Sequence, residues 1–249
     1  MEKYDSKFFK DIQNGSLNSA REIAPFLLKN LKINSIIDLG CGCGTWLKAF
    51  EELGVKEVFG IDGTNSNESL VINKKNYKIY DLTKKISLNK KYDLAISLEV
   101  AEHLSERDGE TLINSLTSCS DIILFSASIP HQGGGTNHIN EQWPSYWEKK
   151  FNHFGYIAID CIRLNFWENE NVDPWYYQNT VLYVKKNKII LNHFLEEELK
   201  KTKSPIPSLV SPIIFLTLQK KFDVFRNILP KFLKRNFVIK KIFKKLGKF

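Results

Sequence analysis

Short apolar runs recur along the first two thirds of the chain. Ile36 to Leu39, Val58 to Ile61, Tyr77 to Tyr80, Tyr92 to Leu98 and Asp121 to Phe125 each read as a buried strand. Stretches with helical spacing separate several of them, as in Thr45-Trp46-Leu47-Lys48-Ala49-Phe50-Glu51-Glu52-Leu53. Ile157 to Leu164 and Thr180 to Lys185 fit a closing antiparallel pair. Strands alternating with helices predict an α/β fold: a doubly wound, mostly parallel seven-stranded sheet, with any ligand across the carboxyl ends of its strands. Residues 1–33 form a helical cap in this reading, residues 34–200 the main domain and residues 204–249 a separate tail. Ser19-Ala20-Arg21-Glu22 has the pattern of a capping box ahead of Ile23, Phe26, Leu27 and Leu31, which predicts a helix start there. Phe8 and Phe9 either cover the cleft or belong to the core.

The first strand carries the most informative chemistry. Asp38 is followed by Gly40, Gly42 and Gly44 at alternate positions, and then by a helix start. Glycines accept positive φ and let a ligand approach the backbone, while the helix end offers unpaired N–H groups. A dinucleotide fingerprint would space its glycines G-x-G-x-x-G around a pyrophosphate. The tighter turn here, with an acid at its entrance, suits a cationic ligand without a pyrophosphate. Cys41 and Cys43 fill the small-residue positions between the glycines. The second run ends in Asp62, 18 positions after Gly44. A carboxylate there can accept hydrogen bonds from both hydroxyls of a ribose.

In these residues the chain resembles the class I S-adenosylmethionine-dependent methyltransferases, whose first motif reads as Asp38-x-Gly40-x-Gly42-x-Gly44. The resemblance implies a Rossmann-like methyltransferase fold with S-adenosylmethionine as cofactor. It implies that Asp38, Gly40, Cys41, Gly42 and Gly44 wrap the methionine part, that Asp62 takes the ribose, and that Asp81 and Leu82 take the adenine. A plain turn role for Asp81 is the alternative. The fourth run leads into Glu99-Val100-Ala101-Glu102-His103-Leu104, a strand-then-E-H-L signature frequent in the small-molecule branch of the family. Glu99 would lie near the methionine end, with Glu102 and His103 beside the methyl group.

After the fifth run comes an unusual segment, residues 130–147. It contains Pro130-His131-Gln132-Gly133-Gly134-Gly135 and then His138-Ile139-Asn140-Glu141-Gln142-Trp143-Pro144-Ser145-Tyr146-Trp147. Ser145 with Glu148 looks like a helix cap. Loops leaving the carboxyl end of a strand collect binding groups. The text is similar to methyltransferases found with bacterial capsule and lipopolysaccharide genes, in outline over residues 1 to about 190. This implies a glycan-precursor or other small-molecule acceptor, neutral or anionic. His131 and His138 are site candidates, with a structural role as the alternative. Residues 165–178, aromatic and broken by Asp173-Pro174, read either as an acceptor-side flap or as a loop over the sheet.

Charge changes the picture only at the end of the chain. The net charge is +8, but residues 218–249 hold 11 Lys and Arg against one acid, Asp223, while the remaining residues hold 25 basic and 27 acidic groups. The core is therefore near neutral, which argues against nucleic acid as a partner. Phe222, Phe225, Leu229, Phe232 and Leu233, then Ile239, Ile242, Phe243 and Leu246, recur at helical spacing among lysines. That pattern fits a cationic amphipathic helix, broken near Pro230, against a membrane surface or a partner. The four cysteines form no C-x-x-C pair, the first residues hold no apolar signal core, and no run approaches the ~18 apolar residues of a membrane span. These features predict a cytoplasmic protein, at the inner membrane face if the tail binds lipid.

Methyl transfer from a sulfonium is an in-line displacement. A sugar hydroxyl needs a general base, for which His103, His131 and His138, with Glu102 nearby, are candidates. A phosphoryl or carboxylate oxygen needs none, and the same side chains would then hold an anion. No ligand spacing demands a metal. A second reading is an RNA or DNA methyltransferase guided by the basic tail; against it, amino-group base methylases typically show an Asn/Asp-Pro-Pro-aromatic turn where this chain has Ser97-Leu98-Glu99-Val100. A non-catalytic S-adenosylmethionine-binding protein and, less well, a nicotinamide dehydrogenase are the remaining readings.

Overall fold

The computed structural model describes residues 6–64, 69–133 and 135–228, with the side chains of 6–13 and 225–228 excluded. The side chains of Phe8 and Phe9, and the tail beyond residue 228, therefore lie outside what the structure describes. Seven strands form one sheet: β1 (Ser35–Leu39), β2 (Glu57–Asp62), β3 (Tyr77–Ile79), β4 (Leu94–Leu98), β5 (Ile122–Ser126), β6 (Tyr156–Ile159) and β7 (Val181–Lys185), in the order β3-β2-β1-β4-β5-β7-β6. β1 to β5 pair in parallel, and β7 runs antiparallel to both β5 and β6. The doubly wound sheet expected from the strand–helix alternation is present.

The central strands β1, β4 and β5 bury both faces, which is why their runs are mostly apolar, while the edge strand β3 is largely exposed. Ile36, Leu94, Ile96, Leu124 and Leu182 face one core, shared with α1 (Ser6–Asn30) and α2 (Thr45–Glu52). Ile37, Leu39, Ala95, Ile123, Phe125 and Tyr183 face the other, under α3 (Glu106–Cys119) and α4 (Pro144–His153). Asp38 alternates with Ile37 and Leu39, so it faces the α1/α2 side, buried in β1. The four cysteines are unpaired.

Several local expectations are corrected. Ser19 does not start a helix: α1 is continuous from Ser6 to Asn30, and the Ser19 hydroxyl donates to the Gly15 carbonyl while accepting from the Asp173 N–H. Ser145 does not cap α4, which starts at Pro144, and Glu148 is instead buried, accepting from Ser204 Oγ at 2.6 Å and Ile206 N at 2.7 Å. The strand expected to run to Leu164 ends at Ile159, because Arg163 begins α5 (Arg163–Phe166) with its guanidinium clamped on Asp160. Half of the aromatic segment 165–178 folds into α5 and α6 (Pro174–Asn179), with Tyr176, Tyr177 and Gln178 buried and Trp46 edge-on to Tyr176. Two short helices follow β7, α7 (Lys186–Ile189) and α8 (His193–Lys201), before α9 (Pro212–Ile228).

The chain divides into two compact units, Met1–Leu209 and Val210–Phe249. The first contains the whole sheet with α1 to α8; the described part of the second is residues 210–228, which include α9. Among the described residues no helix is long and apolar enough to cross a membrane.

Candidate active site

The turn after β1 is shaped by what a side chain would strike. Gly40, Gly42 and Gly44 all have positive φ, 92°, 54° and 90°. A Cβ on Gly40 would meet Val100 Cγ2 at 2.3 Å, and one on Gly44 would meet Ile72 Cγ1 at 2.8 Å, whereas one on Gly42 would meet nothing within 4 Å. The outer two glycines are thus demanded by packing and the middle one faces open space. Cys41 is buried against Gly60 of β2, and burial pushes its thiol well up, so it stays protonated and inert. Gly44 caps α2 without a side-chain bond, leaving N–H groups at the loop.

Two carboxylates flank this turn. Burial, then the nearby charge of Asp62, holds the Asp38 carboxyl well above its ordinary range. Asp62 accepts from Gly42 N at 2.7 Å through Oδ2, and from Thr64 N at 2.8 Å and Thr64 Oγ1 at 2.6 Å through Oδ1. Three of its roughly four acceptor positions are used, so an incoming hydroxyl would share Oδ2 with the glycine loop rather than find the carboxylate free for two. A cationic group here would reverse the mutual repulsion of the pair. Open space over Gly42 beside two acids fits an ammonium-bearing, pyrophosphate-free cofactor.

Asp81 is exposed. Its Oδ1 accepts from Thr83 N and Thr83 Oγ1, and its Oδ2 lies 3.6 Å from Lys84 Nζ, the arrangement of a turn residue. Leu82 beside it is buried. An adenine amine at Asp81 Oδ2 would share that oxygen with Lys84.

At the end of β4, Glu99 adopts φ 55°. Its carboxylate accepts from Asn179 Nδ2 at 3.1 Å and Gln132 Nε2 at 3.2 Å, and Gln132 Oε1 accepts in turn from Gln178 and Asn179. Burial raises the Glu99 carboxyl, while the bonds from Asn179, Ser126 and Gln132 oppose the rise. This network ties the 130–147 segment to β4 and α6. The backbone helps: Ile139 N and Asn140 N both donate to the Glu102 carbonyl, and Gln142 N to the Ser128 carbonyl.

The tethered segment brings three of the expected catalytic groups together. Glu102, His103 and His138 each present a donor atom within 4.8 Å of the others. The two rings meet edge to face at 4.8 Å. Burial, then His138, holds the His103 imidazole below its ordinary value, so it is neutral near pH 7. Burial, then the Glu99 charge, raises the Glu102 carboxyl well above its usual range. His138 Nδ1 lies 3.0 Å from Glu141 Oε1. His131 is not part of this group. It is an exposed residue at φ 64° whose N–H donates to Glu141 Oε2.

Sequence reasoning missed Glu141, Asn179 and Gln178 as partners. It also missed the hydroxyl chain joining Tyr176, Ser16 and Thr45, in which Tyr176 OH donates to Ser16 Oγ at 3.2 Å and Ser16 Oγ lies 2.8 Å from Thr45 Oγ1. Nothing in one sequence marks these contacts, because their members lie up to 160 positions apart. An open groove of about 520 Å³ lined by Leu164, Asn165, Trp167, Glu168 and Asn169 holds none of the glycine-turn residues.

A 3-2-1-4-5-7-6 sheet with a glycine turn after its first strand and acids at the ends of β1 and β2 defines a class I S-adenosylmethionine-dependent methyltransferase. The chain belongs to the methyltransferase-domain family, which matches residues 13–170, and its methyl donor is S-adenosylmethionine. Solved structures share the fold. Magnesium protoporphyrin IX methyltransferase (ChlM) of Synechocystis PCC 6803, with S-adenosylmethionine bound, is 18% identical, with a TM-score of 0.50 over 75% of this chain and 87% of that one. DesVI of Streptomyces venezuelae is 11% identical, with a TM-score of 0.54 over 74% and 99%. The methyltransferase domain of a bacterial Hen1 (CtHen1-C) is 18% identical, with a TM-score of 0.50 over 69% and 99%. No curated protein matches by sequence.

Proposed function

We propose that this methyltransferase acts on oxygen, methylating a sugar hydroxyl or phosphoryl-type oxygen of a capsule or lipopolysaccharide precursor. The observation that carries the oxygen acceptor is the Glu102, His103 and His138 cluster, held one turn beyond Glu99 by the folded-back 130–147 segment. Bound S-adenosylmethionine supplies a methyl group activated on a sulfonium. Asp38, Gly42 and Asp62 hold and orient the donor, with Glu99 at its methionine end. The cluster promotes loss of the proton from an acceptor hydroxyl as the new C–O bond forms and the C–S bond breaks. Orientation of the two reactants supplies much of the acceleration. The glycan assignment is supported by the His131-to-Trp147 text and by the near-neutral core, which offers no basic footprint for a nucleic acid. The protein works in the cytoplasm in this reading, with the basic tail at the inner membrane face.

Two measurements test it. Calorimetry should detect S-adenosylhomocysteine and not NAD, with affinity falling at least about tenfold in Asp62→Ala, one to two lost hydrogen bonds to a charged group. If neither ligand binds, the donor site is misread. Nucleotide-activated sugars and glycan precursors, screened with S-adenosylmethionine, should yield S-adenosylhomocysteine. His103→Ala should then lower kcat by about 10²-fold or more with S-adenosylhomocysteine affinity unchanged. Turnover only on RNA or on amines would overturn the acceptor assignment.

A further inference from the structure

Glu102 is 1% exposed, and its Oε2 is buried with no hydrogen-bond partner among the described residues. A buried carboxylate oxygen left unsatisfied is costly and calls for a counterpart. Two imidazoles face the same point: one donor atom from each of Glu102, His103 and His138 lies within 4.8 Å of the others. Behind His138 stands a second carboxylate, with Glu141 Oε1 3.0 Å from Nδ1. A proton on Nδ1 directed at Glu141 leaves Nε2 as the nitrogen with a free lone pair. A carboxylate behind an imidazole is the usual support of a metal-binding histidine. Gly135 packs closely on the same ring, since a Cβ there would lie 1.8 Å from His138 Nε2. Only glycine at 135 allows the ring this position.

We infer that Glu102, His103 and His138 form a binding site for a divalent first-row transition cation, which receives the acceptor oxygen. This rests on the oxygen-methyltransferase reading above and specifies how the cluster acts. Two imidazoles and one carboxylate favour Mn²⁺, Fe²⁺, Co²⁺ or Zn²⁺ over Mg²⁺ and Ca²⁺, which prefer all-oxygen ligands. Three protein ligands leave open positions, as catalytic sites need. Bonds of about 2.1 Å require donor atoms no more than about 4.2 Å apart, so the ligands draw in by about half an ångström on binding. The cation lowers the pKa of the hydroxyl it binds, as it does for water. The hydroxyl proton leaves to solvent, the oxygen takes the methyl carbon, and the C–S electron pair stays on sulfur as a thioether. His103 then serves as a ligand rather than as the base.

The test uses full-length protein stripped with a chelator and titrated with Co²⁺ by visible absorption and with Mn²⁺ by electron paramagnetic resonance. One equivalent should bind with ligand-field bands of a nitrogen- and oxygen-ligated site. His103→Ala, His138→Ala and Glu102→Gln should each weaken binding by about 10²-fold, Glu141→Gln by about 10- to 100-fold, and His131→Ala not at all. Gly135→Ala should weaken it by displacing His138. Each variant is checked for S-adenosylhomocysteine binding, which reports a folded donor site. Retained S-adenosylhomocysteine affinity with no stoichiometric cation, or cation binding indifferent to His103 and His138, overturns the metal site and leaves the methyltransferase reading intact. Cation binding without S-adenosylhomocysteine binding does the reverse.

Discussion

Glu99 has a left-handed backbone conformation that a non-glycine residue holds at a cost of about 1–3 kcal/mol. The conformation persists because Asn179 and Gln132 grip its carboxylate and Ser126 binds its N–H. Asp173 packs against Gly15 of α1, where a Cβ would lie 2.3 Å from its Oδ2. Burial pushes its carboxyl up to about 6, above the ~3.9 of an unfolded chain. The folded state therefore binds the proton more tightly. Its contribution is most favourable below about pH 4 and is lost as pH rises to about 6, staying unfavourable above. The side chain is only half-buried, so solvent screening reduces the effect to about 1 kcal/mol. Asp173→Asn should be more stable than wild type by about that amount at pH 7.5 and equal to it near pH 4 in urea unfolding. An equal difference at both pH values would remove the titration as its cause.

Elements are pinned to one another by a few buried polar clamps. Arg163 at the start of α5 is 0% exposed, paired with Asp160 through two bonds of 2.8 and 2.7 Å, and donates its remaining fork to the Pro207 carbonyl at 2.8 Å. Glu148 in α4 grips the same connecting stretch through Ser204 and Ile206. Removing one member of a buried pair strands the other. Arg163→Ala should therefore cost about 3–5 kcal/mol, read as a lowered urea midpoint. A loss under about 1 kcal/mol would mean that water reaches Asp160 and the clamp is idle. These clamps also explain the misplaced boundaries. Ser19 and Ser145 have cap-like spacing to Glu22 and Glu148, but Ser19 and Glu148 spend their side chains on partners 154 and 56 to 58 positions away. Local propensity proposed a cap, and tertiary hydrogen bonding took the side chains elsewhere.

For the whole molecule, charge and chemistry sit in different units. The sheet, the glycine turn and the histidine cluster belong to residues up to 209, and all 11 basic residues beyond 209 lie in 218–249. Deleting 218–249 should abolish binding to anionic liposomes, since each lysine or arginine near such a surface contributes about 1 kcal/mol, and leave S-adenosylhomocysteine affinity unchanged. If full-length protein ignores liposomes of phosphatidylglycerol at low salt, the tail serves a protein partner instead.

The division between sequence and structure follows the range of the forces involved. The sheet, its order of strands and helices and the donor turn were legible because their signals are local: apolar runs bounded by turns, and glycines where φ must be positive. Gly40 and Gly44 are fixed by one clash each, with Val100 and Ile72. The histidines were visible as candidates, yet their ranking was not. His131 and His138 looked equivalent in a loop rich in polar groups, and only the fold turned one outward and set the other beside His103, 35 positions earlier. That choice depends on Gln132, Asn179 and the Glu102 carbonyl holding the loop back on β4, and on Glu141 bonding to both the His131 backbone and the His138 ring. Such convergence of distant residues leaves no period or spacing in the chain. The glycine turn could thus be read from the order of residues, while the grouping of Glu102, His103 and His138 was decided by tertiary packing.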